Sequence, residues 1–182
     1  HERAFRMLQS GLNTGKVVVR VSGGLPSHAQ THLVTGGTSG VGLLTSRWLA
    51  QRGARRLIVA SRSGVLAKES TAEWEVVQAT EATTSSVVCD MGEMIHVQRL
   101  HTVATSVRGL WHAAGALADA MLPKQDALGL TRAYAPKAHG AWSLRAISAA
   151  MAVDVRVLFS SVAALLGGTG QANYAAANAC LD

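Results

Sequence analysis

Short apolar runs recur along the chain, and the longer stretches between them carry apolar residues three and four positions apart. Runs of four or five residues rich in β-branched side chains predict strands, and the wider spacing predicts amphipathic helices. The predicted strands span residues 32–35, 57–60, 86–89, 109–112 and 155–159, and the predicted helices span 41–52, about 68–80, 94–104 and about 128–150. Because strand and helix alternate throughout, the pattern predicts an α/β fold, a Rossmann-type doubly wound parallel sheet with helices on both faces.

The two ends of the chain differ from this alternating middle. Residues 1–22 form a small unit of their own, and the turn-rich residues 23–29 predict a linker. The chain stops inside an alanine-rich helical segment that has no cap. We therefore expect residues 30–182 to form one incomplete domain, with its sheet truncated at the C-terminal end.

Composition narrows the class of protein. The 182 residues are 48% hydrophobic and carry a formal charge of +6, which is typical of a folded domain with a sizeable core rather than of a disordered chain. Cys89 and Cys180 are far apart and form no Cys-x-x-Cys motif. We predict neither a disulfide framework nor a metal site, and a reducing, cytoplasmic location.

Two features raise the question of a membrane or a nucleic acid as partner. Residues 157–181 carry no formal charge and are long enough to span a bilayer, but their serine, glycine, asparagine and glutamine content argues against a lipid-facing helix. Arg52, Arg55 and Arg56 cluster at the end of the first predicted helix without interleaved aromatic residues, which favours pairing with the helix dipole over nucleic-acid binding. We therefore predict no membrane and no nucleic acid as partner.

A glycine-rich segment follows the first predicted strand and opens the first predicted helix. Its residues are Thr35, Gly36, Gly37, Thr38, Ser39, Gly40, Val41 and Gly42. Glycines permit a tight turn and close approach of the backbone, and a helix amino terminus offers free N–H groups to a pyrophosphate. The segment predicts a dinucleotide site, the alternative being a purely structural glycine turn.

The kind of dinucleotide depends on the end of the second predicted strand. An acidic side chain there would accept the ribose 2′-hydroxyl, and a basic one would suit a 2′-phosphate. Ser61, Arg62 and Ser63 occupy this position, and no carboxylate accompanies them. This favours NADPH over NADH. The alternative is that Arg62 is an ordinary exposed loop arginine.

Candidate acid–base residues follow the fifth predicted strand. Ser161 precedes Tyr174, and Asn178 lies one helical turn beyond the tyrosine on the same helix face, while Lys137 stands earlier in the chain. A phenol is a weak acid until a neighbouring ammonium stabilises its phenolate, so a serine, a tyrosine and a lysine together could donate a proton to a carbonyl. By spacing alone Tyr174 could equally be a packing tyrosine.

Taken together, residues 30–182 resemble the catalytic half of a polyketide synthase ketoreductase, a branch of the short-chain dehydrogenase/reductase family. The matching segments are residues 35–42, 60–64, 89–90, 112–115, 136–137, 140–142, 159–161 and 170–179. In the wider family a lysine stands four positions after the tyrosine, whereas here Asn178 does. Synthase ketoreductases are similar to this chain in exchanging the two positions, which places the lysine at Lys137.

The resemblance implies a catalytic role for four residues. Tyr174 would donate the proton and Ser161 would hydrogen-bond the ketone. Lys137 would stabilise the phenolate, and Asn178 would order the lysine or a water.

The resemblance also extends the cofactor site beyond the glycine-rich segment. It implies that Asp90 contacts adenine and that Ala113, Ala114 and Gly115 belong to the same site.

The function that the resemblance implies is NADPH-dependent reduction of a β-ketoacyl thioester to the β-hydroxyacyl thioester, with the substrate held by the phosphopantetheine of an acyl carrier domain. The positive charge suits a phosphate-rich cofactor and an acidic carrier. Residues 4–21 resemble the carboxyl end of an enoylreductase domain, which implies a synthase with enoylreductase and dehydratase domains as further partners. The alternatives are a free-standing reductase of small ketones and a non-catalytic scaffold domain.

Product stereochemistry is predicted from two family patterns. Ketoreductases that give the D-hydroxyl carry Leu-Asp-Asp after the fourth strand, and the opposite type carries a tryptophan eight residues before the tyrosine. Here Leu117 and Asp119 keep the outer positions of the first pattern, Ala118 stands between them, and Leu166 occupies the tryptophan position. The resemblance therefore implies that Leu117, Asp119 and Leu166 orient the substrate towards a D-hydroxyacyl product.

Overall fold

The strands occur where the apolar runs predict them. Their bounds are β1 (Thr31–Thr35), β2 (Arg56–Ser61), β3 (Thr83–Val88), β4 (Val107–His112) and β5 (Val155–Leu158). All pair in parallel in one sheet of order β3-β2-β1-β4-β5. The computed structural model describes residues 30–104, 106–149 and 151–182, so the expected leader (1–22) and linker (23–29) lie outside the described residues.

Helices connect the strands, which confirms the alternating pattern. The α-helices are α1 (Gly40–Gln51), α2 (Thr71–Gln78), α3 (Met94–Val103), α4 (Ala127–Tyr134), α5 (Gly140–Ile147), α6 (Val162–Leu166) and α7 (Ala172–Ala179), with 3-10 turns at Lys68–Ser70 and Leu122–Lys124. Among the described helices, none is both long enough and apolar enough to cross a bilayer.

One predicted helix is interrupted. Instead of a single helix over about residues 128–150, a π-helical turn at Ala135–His139 separates α4 from α5. Pro136 lacks the N–H that an α-helix requires at this point, so the backbone widens and the Gly140 N–H donates to the carbonyl of Ala135, five residues back. Lys137 therefore lies in the widened turn.

The hydrophobic core has two halves, one on each face of the sheet. Leu33, Ile58 and Leu110 pack with α3 and α5 on one face, and their neighbours Val34 and Leu57 pack with α1 and α2 on the other. Because successive strand residues point to opposite faces, burial of both faces requires the continuous apolar runs seen in the sequence.

The order of the strands creates a topological switch between β1 and β4. From β1 the chain continues to β2 and β3 on one side, and it then crosses to β4 on the other side of β1. Thr35 at the end of β1 is in register with Ala60 of β2 and with His112 of β4. The loops that follow β1 and β4 therefore diverge at the carboxyl edge of the sheet, where open α/β sheets bind ligands.

The two-sided core makes a testable prediction. Leu33 is 1% exposed on one face and Leu57 is 0% exposed on the other, so we expect Leu33→Ala and Leu57→Ala each to lower the free energy of unfolding by about 2–5 kcal/mol in denaturant titrations. Leu165→Ala is the control, because Leu165 is 83% exposed, and should cost less than about 0.5 kcal/mol. A small loss at either core position would contradict a sheet covered on both faces.

Candidate active site

The glycine-rich turn between β1 and α1 is bound closely to the strands on both sides. The Gly36 N–H donates to the Ala60 carbonyl at 2.8 Å, and Gly36 adopts φ 67°. A Cβ atom at Gly36 would lie 2.8 Å from the backbone nitrogen of Ala114. A larger residue is therefore excluded by both conformation and space. The helix that follows has no acidic residue in its first turn, so its free N–H groups can receive a phosphate.

A cavity of about 620 Å³ lies on the β2 and β3 side of this turn. It is lined by Gly36, Thr38, Ser39, Ser61, Arg62, Ser63, Val65, Leu66, Ala67, Cys89, Met91, Ala114, Gly115 and Pro136. No lining residue of this cavity in the described part of the chain is Asp or Glu, and Arg62 is its one arginine or lysine. The donor set thus fits a cofactor that carries an additional phosphate on its adenosine ribose.

Two serines hold the loop that carries Arg62. The Ser61 hydroxyl accepts from the Gly64 N–H at 3.0 Å, and the Ser86 hydroxyl of β3 donates to the Gly64 carbonyl at 2.7 Å. Gly64 has φ 68°. The loop is therefore fixed to the sheet and keeps Arg62 at the rim of the cavity.

The predicted adenine contact, Asp90, lies between two lining residues. Cys89 and Met91 line the cavity, whereas Asp90 is not among its described lining residues, and its Oδ1 accepts from the Gly92 N–H at 2.9 Å. An adenine contact by Asp90 thus stays a prediction. Burial raises the pKa of the Cys89 thiol to about 11, so this thiol stays protonated and unreactive at neutral pH.

A second cavity, of about 320 Å³, lies on the β4 and β5 side of the turn. Its lining residues are Gly36, Ser39, Gly40, Val41, Gly42, Ala113, Gly115, Ala116, Leu117, Lys137, Phe159, Ser160 and Tyr174. Gly36, Ser39 and Gly115 line both cavities. One groove therefore crosses the switch between β1 and β4, as a bound dinucleotide requires.

Lys137 and Tyr174 meet in the second cavity, although they are distant in sequence. The Lys137 ammonium donates to the carbonyl of Phe159 at 2.7 Å and lies 5.8 Å from the centroid of the Tyr174 ring. Lys137 is 4% exposed, and its burial lowers the pKa of the ammonium. A Cβ atom at Gly115 would lie 2.8 Å from Lys137 Cε, so the glycine leaves room for the lysine chain.

Ser161 and Asn178 lie at the ends of two short helices, α6 and α7. Ser160, and not Ser161, is among the described residues that line the second cavity. The Ser161 hydroxyl accepts from the Ala163 N–H at 3.1 Å, which leaves its own proton to donate elsewhere. The Asn178 amide donates to the Tyr174 carbonyl at 2.8 Å. Its oxygen is buried and has no hydrogen-bond partner in the part of the chain that the structure describes. That oxygen could accept a bond from a water or an ammonium.

Asn173 is a site residue that the sequence analysis did not identify. It is 2% exposed, its oxygen accepts from the Tyr174 N–H at 2.8 Å, and its nitrogen donates to the carbonyls of Ala118 at 2.7 Å and Gly129 at 3.2 Å. The residue therefore connects the start of α7 to the 117–119 loop. The one feature of the sequence that could have identified Asn173 is that it is a polar residue in an alanine-rich helix.

Of the three predicted substrate-orienting residues, only Leu117 is among the described residues that line the second cavity. Asp119 accepts a hydrogen bond from the Gln171 side chain at 3.2 Å, and its contact with a substrate stays a prediction. Leu166 lies at the end of α6 and is 77% exposed. In the described ranges, no group of three or more His, Cys, Asp or Glu side chains could hold a metal ion.

Comparison with known proteins places this geometry in a family. The sequence model described as the KR domain matches residues 30–182. The chain is 35% identical over 198 residues to the compactin diketide synthase of Penicillium citrinum, covering 100% of this chain and 8% of that protein. It is 35% identical over 199 residues to a mycocerosic acid synthase-like polyketide synthase of Mycobacterium tuberculosis, covering 98% of this chain and 9% of that protein.

A solved structure agrees with the sequence comparison. The ketoreductase from the first module of phoslactomycin biosynthesis in Streptomyces sp. HK803 superposes with a TM-score of 0.77 at 35% identity, over 85% of this chain and 36% of that one. The chain thus spans less than a tenth of the synthases it matches and about a third of this solved ketoreductase. Because the family match includes every residue that the structure describes, the chain belongs to the KR domain family.

Proposed function

We propose that this chain carries out NADPH-dependent reduction of a β-ketoacyl thioester, held on the phosphopantetheine of an acyl carrier domain, to the D-β-hydroxyacyl thioester. The observation that carries the proposal is the Lys137 ammonium 5.8 Å from the Tyr174 ring, in a cavity that adjoins the phosphate-binding turn. Residues 1–22 would end an enoylreductase domain and 23–29 would link it to this one, with a dehydratase domain elsewhere in the same synthase.

The residues around the larger cavity would hold NADPH. Free N–H groups at the start of α1 would receive the diphosphate, and Arg62 would pair with the 2′-phosphate. The cofactor, when bound, supplies the hydride. An NADH-specific site would instead need a carboxylate at the end of β2, and the described cavity lining contains none.

Tyr174 in the smaller cavity would supply the proton. Hydroxyl groups of Ser161 and Tyr174 would hydrogen-bond the ketone oxygen, where negative charge develops as the carbonyl carbon is reduced. Tyr174 then gives its proton to that oxygen. The nearby Lys137 ammonium stabilises the phenolate that remains, and the unpaired oxygen of Asn178 can order a water or the ammonium.

Burial of Lys137 also bears on the alternative of a non-catalytic scaffold. Removing an ammonium from water is costly unless it is well paired. A scaffold would gain nothing from keeping this ammonium beside Tyr174. A proton-donating site needs it there, so the burial supports the enzyme.

The first prediction tests the proton donor. Tyr174→Phe should lower turnover of a carrier-bound β-ketoacyl substrate by at least about 10²-fold, because the proton donor is lost, and should change NADPH affinity less than about 2-fold. Turnover is measured from NADPH absorbance and affinity by fluorescence titration. Tyr134→Phe is the matched control, since Tyr134 is the other tyrosine of the chain and lies at the end of α4. Near-normal reduction by Tyr174→Phe would remove Tyr174 from the reaction.

The second prediction tests the cofactor. We expect the parent protein to prefer NADPH, and Arg62→Asp to weaken NADPH binding by about 10- to 100-fold, the scale of a lost charged hydrogen bond. Arg55→Asp is the control, because it changes the net charge equally but lies at the opposite end of β2. Paired titrations with NADPH and NADH give the affinities. Equal affinity of the parent protein for both would exclude Arg62 from the site.

The third prediction concerns stereochemistry. The loop that carries Leu117 and Asp119 should bias the side from which the pantetheine arm enters, and thereby the ketone face that is reduced. A product ratio of 100 to 1 needs only about 2.7 kcal/mol between transition states. Chiral chromatography should therefore give mainly D-hydroxyacyl product, and Leu166→Trp should lower the D fraction more than the adjacent Leu165→Trp. A mainly L product from the parent protein would refute the assignment.

A further inference from the structure

His112 is a buried polar residue that the proposed reaction leaves without a role. It is the last residue of β4 and is 0% exposed. Its Nδ1 lies 2.7 Å from the hydroxyl oxygen of Thr35, and its Nε2 lies 3.1 Å from the carbonyl oxygen of Lys137. The ring thus lies between the start of the phosphate-binding turn and the backbone of the buried lysine.

The partners of His112 determine which of its nitrogens carries the proton. A carbonyl oxygen only accepts, so Nε2 donates to Lys137 and the neutral ring accepts at Nδ1 from the Thr35 hydroxyl. The Thr35 oxygen in turn accepts from the Ala114 N–H at 3.4 Å. Burial lowers the pKa of His112 to about 4, which keeps the ring neutral at physiological pH. Each of these three hydrogen bonds therefore joins one donor to one acceptor.

The backbone of His112 is also connected, through Phe159, to the side-chain nitrogen of Lys137. The Phe159 N–H donates to the His112 carbonyl at 3.0 Å, and the Phe159 carbonyl accepts from the Lys137 ammonium at 2.7 Å. The backbone carbonyl of Lys137 is thus bound by the ring of His112, and its side-chain nitrogen is bound through Phe159 to the backbone of His112. Three hydrogen bonds close a circuit that includes both ends of the lysine.

Lys137 needs such support for two reasons. Its side chain has four rotatable bonds, so the position of its nitrogen depends on how firmly its backbone is held. That backbone belongs to the π-helical turn rather than to a regular helix. The contact is also close, since a Cβ atom at Gly140, the residue after the turn, would lie 3.3 Å from His112 Cε1. The imidazole therefore fixes both the distance and the direction of the turn relative to β4.

We propose that His112, as the neutral Nε2–H tautomer, is a positioning residue that fixes the Lys137 ammonium beside Tyr174 and links it through Thr35 to the phosphate-binding turn. The proposal rests on the proposed function, in which that ammonium stabilises the phenolate. His112 itself touches no reacting atom.

Three substitutions in the NADPH-bound protein test this role. His112→Ala removes both side-chain bonds and should lower kcat by about 10- to 100-fold, the scale expected for a misplaced catalytic group, with a change in NADPH affinity below about 3-fold. His112→Gln should recover most of kcat, because its amide nitrogen can reach the Lys137 carbonyl. His112→Asn, whose shorter amide reaches Thr35 but not Lys137, should resemble His112→Ala. Equal losses in the Ala and Gln variants would overturn the proposal.

A pH profile separates positioning from mere stability. In the alcohol-oxidation direction the rate rises with pH as the phenol loses its proton, and a displaced ammonium should move that rise to higher pH in His112→Ala. The matched control is His32→Gln. His32 is 3% exposed and its Nδ1 accepts from the Trp111 indole at 3.3 Å, away from the lysine. This control should lose stability but keep kcat and the pH profile. An unchanged profile in a folded His112→Ala variant would refute the positioning role.

The tautomer is measurable without turnover. Nitrogen-15 NMR of the parent protein at neutral pH should show a neutral His112 ring protonated at Nε2, and a ring protonated at Nδ1 or at both nitrogens would refute the proposal even if His112→Ala does not fold. If the parent protein and Tyr174→Phe were equally unable to reduce the ketone, the proposed function would fail. The NMR result would still establish or reject the hydrogen-bond arrangement.

Discussion

The second half of the structure depends on the burial of one ammonium group, which must be stabilised away from water. Lys137 is 4% exposed, and such a group is tolerated only where acceptors and space are provided for it. The Phe159 carbonyl provides the acceptor, and the missing side chain of Gly115 provides the space. The π-helical turn after Pro136 determines where the lysine leaves the backbone. None of these features alone would position the ammonium, but together they place the positive charge of Lys137 beside the phenol of Tyr174.

The first half of the structure obeys a different constraint, the close approach of backbone to backbone. Gly36 lies against the loop after β4 so closely that a Cβ atom would collide with Ala113 and Ala114. The groove beside this glycine is therefore formed by main-chain atoms, and in the proposed function the choice between dinucleotides would fall to side chains at its rim, such as Arg62. Backbone N–H groups bind phosphate in any sequence, whereas the rim side chains can distinguish one dinucleotide from another.

The sequence predicted the strands and helices better than it predicted the contacts between them. The inner strands β1, β2 and β4 were predictable because burial on both faces demands continuous apolar runs, whereas the partly exposed edge strand β3 begins three residues before its predicted start. Tyr174 and Asn178 share a helix face by spacing alone. The π-helical turn was not predicted, because Pro136 stands inside a stretch that is otherwise periodic. Helix α6 was too short to show a period. The contacts of Asn173 and His112 join segments far apart in the chain, and such contacts cannot be predicted from a local sequence pattern.

The switch in strand order also has a consequence for how the molecule forms. Strands β1, β2 and β3 are consecutive in the chain and adjacent in the sheet, whereas β4 returns to the far side of β1. Local pairings form faster than distant ones, and a chain made from its amino terminus offers them first. The side of the larger cavity that Ser61, Arg62 and Ser63 form can thus take shape early, but the glycine-rich turn gains its neighbours Ala113 and Ala114 only after β4 joins. Lys137 and Tyr174 come later still in the chain, so a nascent chain would form this side of the larger cavity before it brings the lysine and the tyrosine together.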